Sequence, residues 1–521
     1  MGVEDRKTYL FLFFLTGAWL FFLINNNFPL GWFGDIHQRL GDSLQNNQIG
    51  INALINTKTF FFQLHPPLDY FLRYFFGFFY LNTPINDLIS YLIFSKIIST
   101  VFLVFSIKNL SNIFTNKLNF YILNLLISLS FYSIFQGLFF SLAESSSLFL
   151  VTLSCLYFKR NYSNKSSNAK YLSFFMMYLA SLIRPEVIFL QIAMLFIIFY
   201  EKFPKKDILI FLLINFNYLF IKYLLIFFTS IDTVSYLNFP QEYFSNKFNL
   251  TFLFQTLVSR NVLSIFTLVY FLYFCFSINV LNLRKKLPKI FFTLSFLTFI
   301  FIILLCVSIF VGYGKPEPRL FIIFHSLFAV LLSYLVYRHK SLSIYIFLSI
   351  LTVASFLTNY SSINKGIERK KYHNAINEQV TSFILNNQND LFLFDYLKFN
   401  EWIIRYSLLD SKFNHNNLCM FSRCLNNISL TKINQNKIHL GRHDEFFLRS
   451  IYFLVNYKPK FIISLNKNEF IKFNTAYFDI HKSIVHDFAT EDSDELFFES
   501  LNLNYKKIKT IHYFNIYQYF E

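Results

Sequence analysis

Residues 171–200 read YLSFFMMYLASLIRPEVIFLQIAMLFIIFY, an apolar run broken at its middle by Arg184-Pro185-Glu186. Proline lacks an N–H and fixes φ, so one helix is not expected to pass through Pro185 unbroken. The flanks decide the reading. Lys and Arg crowd both sides, in FKRNYSNKSSNAK (158–170) and EKFPKKD (201–207). Basic residues of short loops mark the cytoplasmic face of a membrane protein. The run is therefore expected to leave and return on one face, as a pair of short helices bent at SLIRPEV (181–187). Non-helical backbone at membrane depth is tolerated only inside protein or beside a wet cavity, so the bend is a candidate for cavity lining.

Working outward, apolar runs long enough to span recur from Tyr9 to about Leu357. The chain is 55% hydrophobic and only 15% charged, with 75 Phe in 521 residues, which excludes an ordinary soluble globular composition. Its net charge of +17 would suggest nucleic acid in a soluble protein. Here the charge follows the loops, gathering also at Arg6-Lys7, Lys108, Lys117, LRKKLPK (283–289) and RHK (338–340), so no nucleic-acid partner is expected. The loops 26–64, 231–250 and 312–319 are poor in Lys and Arg. This alternation predicts a polytopic α-helical membrane protein with a cytoplasmic N-terminus and about ten to thirteen membrane segments. The first, TYLFLFFLTGAWLFFLINNN (8–27), is too long for a signal peptide and lacks its cleavage site, so it reads as a retained span. Residues 66–107 form two apolar pieces joined at LNTPINDL (81–88), although parity asks for one net crossing.

After about Asn359 the character changes. A membrane domain over 1–359, with its first outer loop at 26–65, gives way to a mixed polar segment over 360–521. In the latter, LFLFDYL (391–397) and KFIISLN (460–466) read as strands. NEQVTSFILNN (377–387) and DEFFLRSIYFLVN (444–456) read as helices. Parity places this C-terminal α/β soluble domain outside the cytoplasm, periplasmic or extracellular, with the rest in a plasma (inner) membrane. Cys419 and Cys424, in CMFSRC, would then meet an oxidising space and can pair, while free or metal-bound thiols remain open from C-x4-C alone. No His or Asp pattern around them suggests zinc. Cys155, Cys275 and Cys306 lie in apolar runs, as small core residues do.

Ionisable residues gather on the predicted outer side. The first loop has Asp35, His37, Arg39 and Asp42, and the next segment, FFQLHPPLDYFLRYFF (61–76), begins with His65, Asp69 and Arg73. Glu144 lies in FFSLAESSSLFL (139–150), and GYGKPEPRLFIIFH (312–325) carries Lys315, Glu317, Arg319 and His325. Charge at a bilayer lip is costly and reads as functional by default. A carboxylate there can take a proton from an attacking hydroxyl. Arg and Lys can hold a phosphate head group while its lipid tail stays in the bilayer.

The order of these features resembles the polytopic, lipid-phosphate-sugar-dependent glycosyltransferases of the GT-C superfamily. The resemblance is to bacterial relatives of protein O-mannosyltransferase and the aminoarabinose lipid A transferase, and it covers about residues 1–340. It rests on an acid in the first outer loop (Asp35) followed by His65-Pro66-Pro67-Leu68, on SLAESSSLF (141–149), on Arg184-Pro185-Glu186, and on PEPRLFIIF (316–324). Many relatives carry two acids in the first loop, where this chain has Asp35-Ile36, and an aromatic residue after HPPL, where it has Asp69. The resemblance implies transfer of a sugar, with inversion, from a polyprenyl-phosphate-linked donor to an extracytoplasmic lipid, glycan or protein. Asp35 is then the catalytic base, with Glu144 as a second catalytic carboxylate that orients the acceptor or binds a metal. His65, Asp69, Arg319, Lys315 and Arg184 are substrate-binding candidates. Some members of the superfamily use a divalent cation and others do not; with no Asp-x-Asp in the first loop, the sequence leans towards metal independence.

Each of these residues has a plainer reading. Asp35 and Asp42 can cap an interfacial helix, and Glu144 can sit at a helix start. Arg319 and Lys315 can snorkel at a membrane lip. Arg184 and Glu186 can be a mutual ion pair that holds the bend, and His65-Pro66-Pro67 can simply begin a helix. His37 and His325 are expected to make local hydrogen bonds, and GRHDEFF (441–447) to start a helix. Lys96, Lys222 and Arg260 fall in or near apolar runs, which keeps a transporter or flippase of lipid-linked glycans as the alternative. A polysaccharide polymerase is the third reading.

Overall fold

Two short helices occupy the interrupted run. The computed structural model describes residues 6–7, 10–18, 68, 88–137, 142–164, 167–229, 287–310, 321–339, 342–395, 414, 417–419, 442–465 and 498–521. Within it the helices are, in chain order, α1 (Leu88–Phe114), α2 (Leu118–Ser130), α3 (Tyr132–Gly137), α4 (Leu142–Asn164), α5 (Ser167–Ser181), α6 (Val187–Tyr200) and α7 (Lys205–Thr229). They continue with α8 (Lys289–Phe310), α9 (Ile322–His339), α10 (Leu342–Asn386) and α11 (Arg442–Tyr457). A further helical stretch covers 10–18. At ~1.5 Å per residue, α5 and α6 are each roughly 20 Å long, too short to cross a hydrocarbon core of ~30 Å.

Proline sets several helix starts. Ile188 N donates to Pro185 O (3.1 Å), Asp207 N to Pro204 O (2.8 Å) and Phe291 N to Pro288 O (2.9 Å), so α6, α7 and α8 each begin just after a proline. The end of α6 is fixed by Lys202, whose φ of 53° is left-handed, while Phe203 N returns to Ile198 O at 3.1 Å. That is the six-to-one bond of a Schellman cap. Around these ends lie the paired charges: Lys170 Nζ donates to Asp207 Oδ2 (2.5 Å), Tyr171 OH to Asp207 Oδ1 (3.0 Å), and Lys289 pairs with Glu201.

α1 and α5 pack along α4, α2 along α9, and α6 along α8. Small and hydroxyl residues make the closest seam. Ser154 Oγ donates to Ser173 O and Ser173 Oγ to Ser154 O, both at 2.8 Å, which brings α4 and α5 into near backbone contact. Asn124, fully buried on α2, donates to Ile107 O (3.3 Å) and Ser111 Oγ (2.9 Å) on α1 and accepts from Ser333 Oγ (3.3 Å) on α9. Asn124→Leu keeps the volume and removes these bonds. Ser111 and Ser333 retain carbonyl partners of their own, Ile107 O and Ala329 O. The expected cost is about 2 kcal/mol, read as a lower midpoint of thermal unfolding in detergent; an unchanged midpoint contradicts the network.

Among the described residues two helical segments are long and apolar enough to cross a membrane, Lys96–Phe114 and Lys289–Ser308. Leu118–Ser130, Val187–Tyr200 and Ile322–Arg338 are apolar but shorter. The chain is thus mostly helical with one small sheet. By compactness it divides between Ile367 and Glu368, inside α10.

Among the described residues the second unit holds five strands: β1 (Phe392–Asp395), β2 (Leu418–Cys419), β3 (Phe461–Leu465), β4 (Tyr505–Ile511) and β5 (Phe514–Tyr519). Their order is β2-β1-β3-β5-β4, with β2, β1 and β3 parallel and the β4–β5 hairpin antiparallel. Ile376, Val380 and Ile384 of α10 share one buried cluster with Phe392, Phe394, Phe461 and Ile463. Phe453 and Leu454 of α11 share another with Leu393, Ile462 and Tyr517. The two clusters alternate along the strands, so helices cover both faces of the sheet. Cys419 is disulfide-bonded, to a partner outside the described residues, and Cys155 and Cys306 are free. Burial pushes the Tyr505 phenol up, and its OH donates to Pro459 O at 2.7 Å. Tyr505→Phe leaves that carbonyl unpaired and is expected to cost about 1–2 kcal/mol; a stability equal to wild type contradicts this.

Candidate functional site

The bend between α5 and α6 is a compact knot of backbone bonds. Ile183 N and Arg184 N both donate to Ala180 O, at 3.1 and 3.0 Å, and Val187 N donates to Arg184 O at 3.2 Å. Ser147 Oγ of α4 also reaches Ala180 O, at 3.4 Å. The non-helical backbone here is satisfied from within the protein, as its burial requires.

Arg184 is the centre of the knot. Its Nε donates to Glu186 Oε1 at 2.6 Å, Nη2 lies 2.5 Å from the same oxygen, and Nη1 donates to Glu144 Oε1 at 2.9 Å. Glu144 is 2% exposed, and Arg184 and Glu186 are 9% exposed each. Glu144 stands in the first turn of α4, where the positive end of the helix favours a carboxylate. One guanidinium therefore serves two buried carboxylates from two parts of the chain.

A second buried cation is nearby. Ser145, beside Glu144, meets Ser99 of α1 at 2.8 Å between hydroxyl oxygens. Lys96 lies three residues before Ser99, on the same face of α1, and is 3% exposed. With Lys96, Arg184, Glu144 and Glu186, the α1–α4–bend junction has two cations and two acids. Ser145, Ser146 and Ser147 are all buried beside them and let the helices approach closely.

The bend also holds Leu68. Leu68 N donates to Leu182 O at 2.8 Å. This one bond joins Leu68 of His65-Pro66-Pro67-Leu68 to the turn that presents Arg184. Of the residues singled out from the sequence, the structure thus brings together Glu144, Arg184, Glu186 and Leu68. Asp35, His65, Asp69, Lys315 and Arg319 lie outside the described residues, as do Asp42 and His37. His325 makes a local bond, with Nδ1 2.6 Å from Ser133 Oγ, and its ring stacks on Phe131. The pairing of Glu144 with Arg184 had no signal in the sequence, since the two are 40 residues apart. Lys96 had one, a charge inside an apolar run.

Among the described residues no group of three or more His, Cys, Asp or Glu side chains is placed to hold a metal ion. No protein-family model, no curated protein and no solved structure matches the chain.

Proposed function

We propose that the chain is a membrane glycosyltransferase that moves a sugar from a polyprenyl-phosphate donor to a lipid, glycan or protein outside the cytoplasm. The observation that carries this reading is the Leu68–Leu182 bond beside the buried Glu144–Arg184–Glu186 cluster. It unites pieces that the sequence resemblance predicts to be functional. A lipid setting is supported by the exposed apolar residues. Leu209, Leu212, Leu213 and Phe220 on α7, Phe296, Phe299, Ile303 and Val307 on α8, and Ile346, Ile350, Val353 and Leu357 on α10 are large and exposed at helical spacing. Apolar stripes of that extent are not left to water. The protein is multi-pass in a plasma membrane in this account, and spans beyond the two helices described belong to the same proposal.

In the reaction, Asp35 takes the proton of the acceptor hydroxyl as its oxygen attacks the anomeric carbon. The bond from that carbon to the phosphate oxygen breaks, and polyprenyl phosphate leaves as an anion that needs no general acid. Attack from the face opposite the phosphate inverts the configuration. Arg319 and Lys315 neutralise the donor phosphate, and His65 and Asp69 contact donor or acceptor. Arg184 holds Glu144 and the bend to which Leu68 is bonded; its part is positioning.

The test is transfer of label from radiolabelled polyprenyl-phosphate sugars in membranes with and without the protein. Label in an acceptor only when the protein is present supports the reading. Lipid-linked sugar that crosses the bilayer with none transferred supports the flippase alternative. The first loop has no Asp-x-Asp, so EDTA is expected to leave transfer unchanged. Loss of transfer on chelation, restored by Mg2+ or Mn2+, would assign a divalent cation.

A further inference from the structure

The turn between α6 and α7 carries more positive charge than the fold uses. It reads Tyr200-Glu201-Lys202-Phe203-Pro204-Lys205-Lys206-Asp207. The Schellman cap sets Lys202 at a φ of 53°, and Phe203 stacks on Phe158 of α4 at 6.0 Å, so the turn is held in one shape. Its two acids are already neutralised, Glu201 by Lys289 of α8 and Asp207 by Lys170 of α5. Lys202, Lys205 and Lys206 are exposed, and among the described residues none of the three meets an acid.

Beside this turn the open surface is aromatic. Phe196, Phe199 and Tyr200 share one face of the last turn of α6, at i, i+3 and i+4. Tyr200 meets Phe296 of α8, with ring centroids 5.9 Å apart, and Phe299 follows one turn on. Exposure of these five runs from 41% at Phe296 to 67% at Tyr200, so the outer side of the seam is accessible along its length. Farther along α8 the exposed residues become aliphatic, Ile303 and Val307. At ~1.5 Å per residue, Phe296 and Phe299 lie roughly 10 and 15 Å along α8 from Lys289, and Val307 roughly 27 Å.

The sequence of lysine, aromatic and aliphatic residues matches the order of parts in a phospholipid: phosphate, glycerol ester, acyl chain. Aromatic side chains settle at the ester level of a bilayer, and basic residues draw anionic headgroups. A zwitterionic headgroup brings a cation of its own to three lysines that lack acids, and an anionic headgroup does not. We infer that this end of the α6–α8 seam binds an anionic phospholipid, with its phosphate at Lys202, Lys205 and Lys206 and an acyl chain along Phe196, Tyr200, Phe296 and Phe299. The inference rests on the membrane setting proposed above and not on sugar transfer.

The experiment is native mass spectrometry of the full chain in detergent, titrated with dioleoyl phosphatidylglycerol and, separately, with dioleoyl phosphatidylcholine. Phosphatidylglycerol is expected to be retained about tenfold more tightly. Lys202→Gln combined with Lys205→Gln and Lys206→Gln should remove that preference. Tyr200→Ala should weaken retention of both lipids about two- to fivefold. Thermal midpoints should not change, because all four side chains are exposed. Inorganic phosphate in excess should leave the lipid in place, since it has no chain to lie on the aromatic surface; displacement by it would assign a free-anion site and overturn the lipid. Equal retention of the two lipids, or a preference that the triple variant keeps, also overturns the inference. Resistance to alkaline carbonate extraction reports the membrane setting separately. An extracted chain removes that setting and this site with it, whereas a retained chain without lipid preference removes the site alone.

Discussion

Arg184→Met is expected to cost about 3–5 kcal/mol and to leave little folded protein in the membrane fraction. The reason is a mismatch of charge. The variant leaves Glu144 and Glu186, both buried, without the guanidinium that now touches each within 3 Å. Breaking a buried ion pair by removing one partner strands an uncompensated charge, which costs far more than the pair contributes. The same argument predicts a rescue. Arg184→Met combined with Glu186→Gln removes one of the two buried carboxylates, leaves Glu144 in the junction with the buried Lys96, and should recover part of the loss, because a neutral residue of similar volume carries no stranded charge. Thermal unfolding in detergent measures both. A loss under ~1 kcal/mol for Arg184→Met is the size of a solvated surface pair and would contradict the burial of the cluster.

Asp35→Asn is expected to lower sugar transfer by about 10²–10⁴-fold while the amount of folded protein stays the same. An amide has the carboxylate's shape and cannot accept the hydroxyl proton, and general-base catalysis is worth a factor of that size. Glu144→Gln separates the two carboxylates. It removes half of Arg184's anionic partners, so its effect on transfer should accompany a loss of stability, whereas that of Asp35→Asn should not. A fall in transfer for Glu144→Gln with unchanged stability, beside an active Asp35→Asn, would exchange their roles.

Some of the architecture was legible from local pattern. Pro185 between two apolar runs, with basic loops on both sides, indicated two short helices, and α5 and α6 are those helices. The bursts LFLF and FIISL gave β1 and β3, and the apolar spacing of 444–456 gave α11. The β4–β5 hairpin was not legible. Lys506, Lys507 and Lys509 lie exposed on an edge strand, where charge prevents further pairing and hides the alternation. β5 is buried along nearly its whole length because the sheet is covered on both faces, so it carries no period-two signal. At the site, the Arg184–Glu186 pair could be expected from its spacing. Glu144 could not, because the contact depends on how α4 packs against the bend, and no spacing along the chain records that.

The central claim is tested most directly by one measurement: transfer from radiolabelled polyprenyl-phosphate sugars to endogenous acceptors, in membranes with matched amounts of wild type and Asp35→Asn. The account predicts label in an acceptor with wild type and a loss of about 10²-fold or more with the variant. Equal transfer by the two proteins would remove Asp35 as the base. Lipid-linked sugar crossing the bilayer, with none transferred by either protein, would contradict the glycosyltransferase itself.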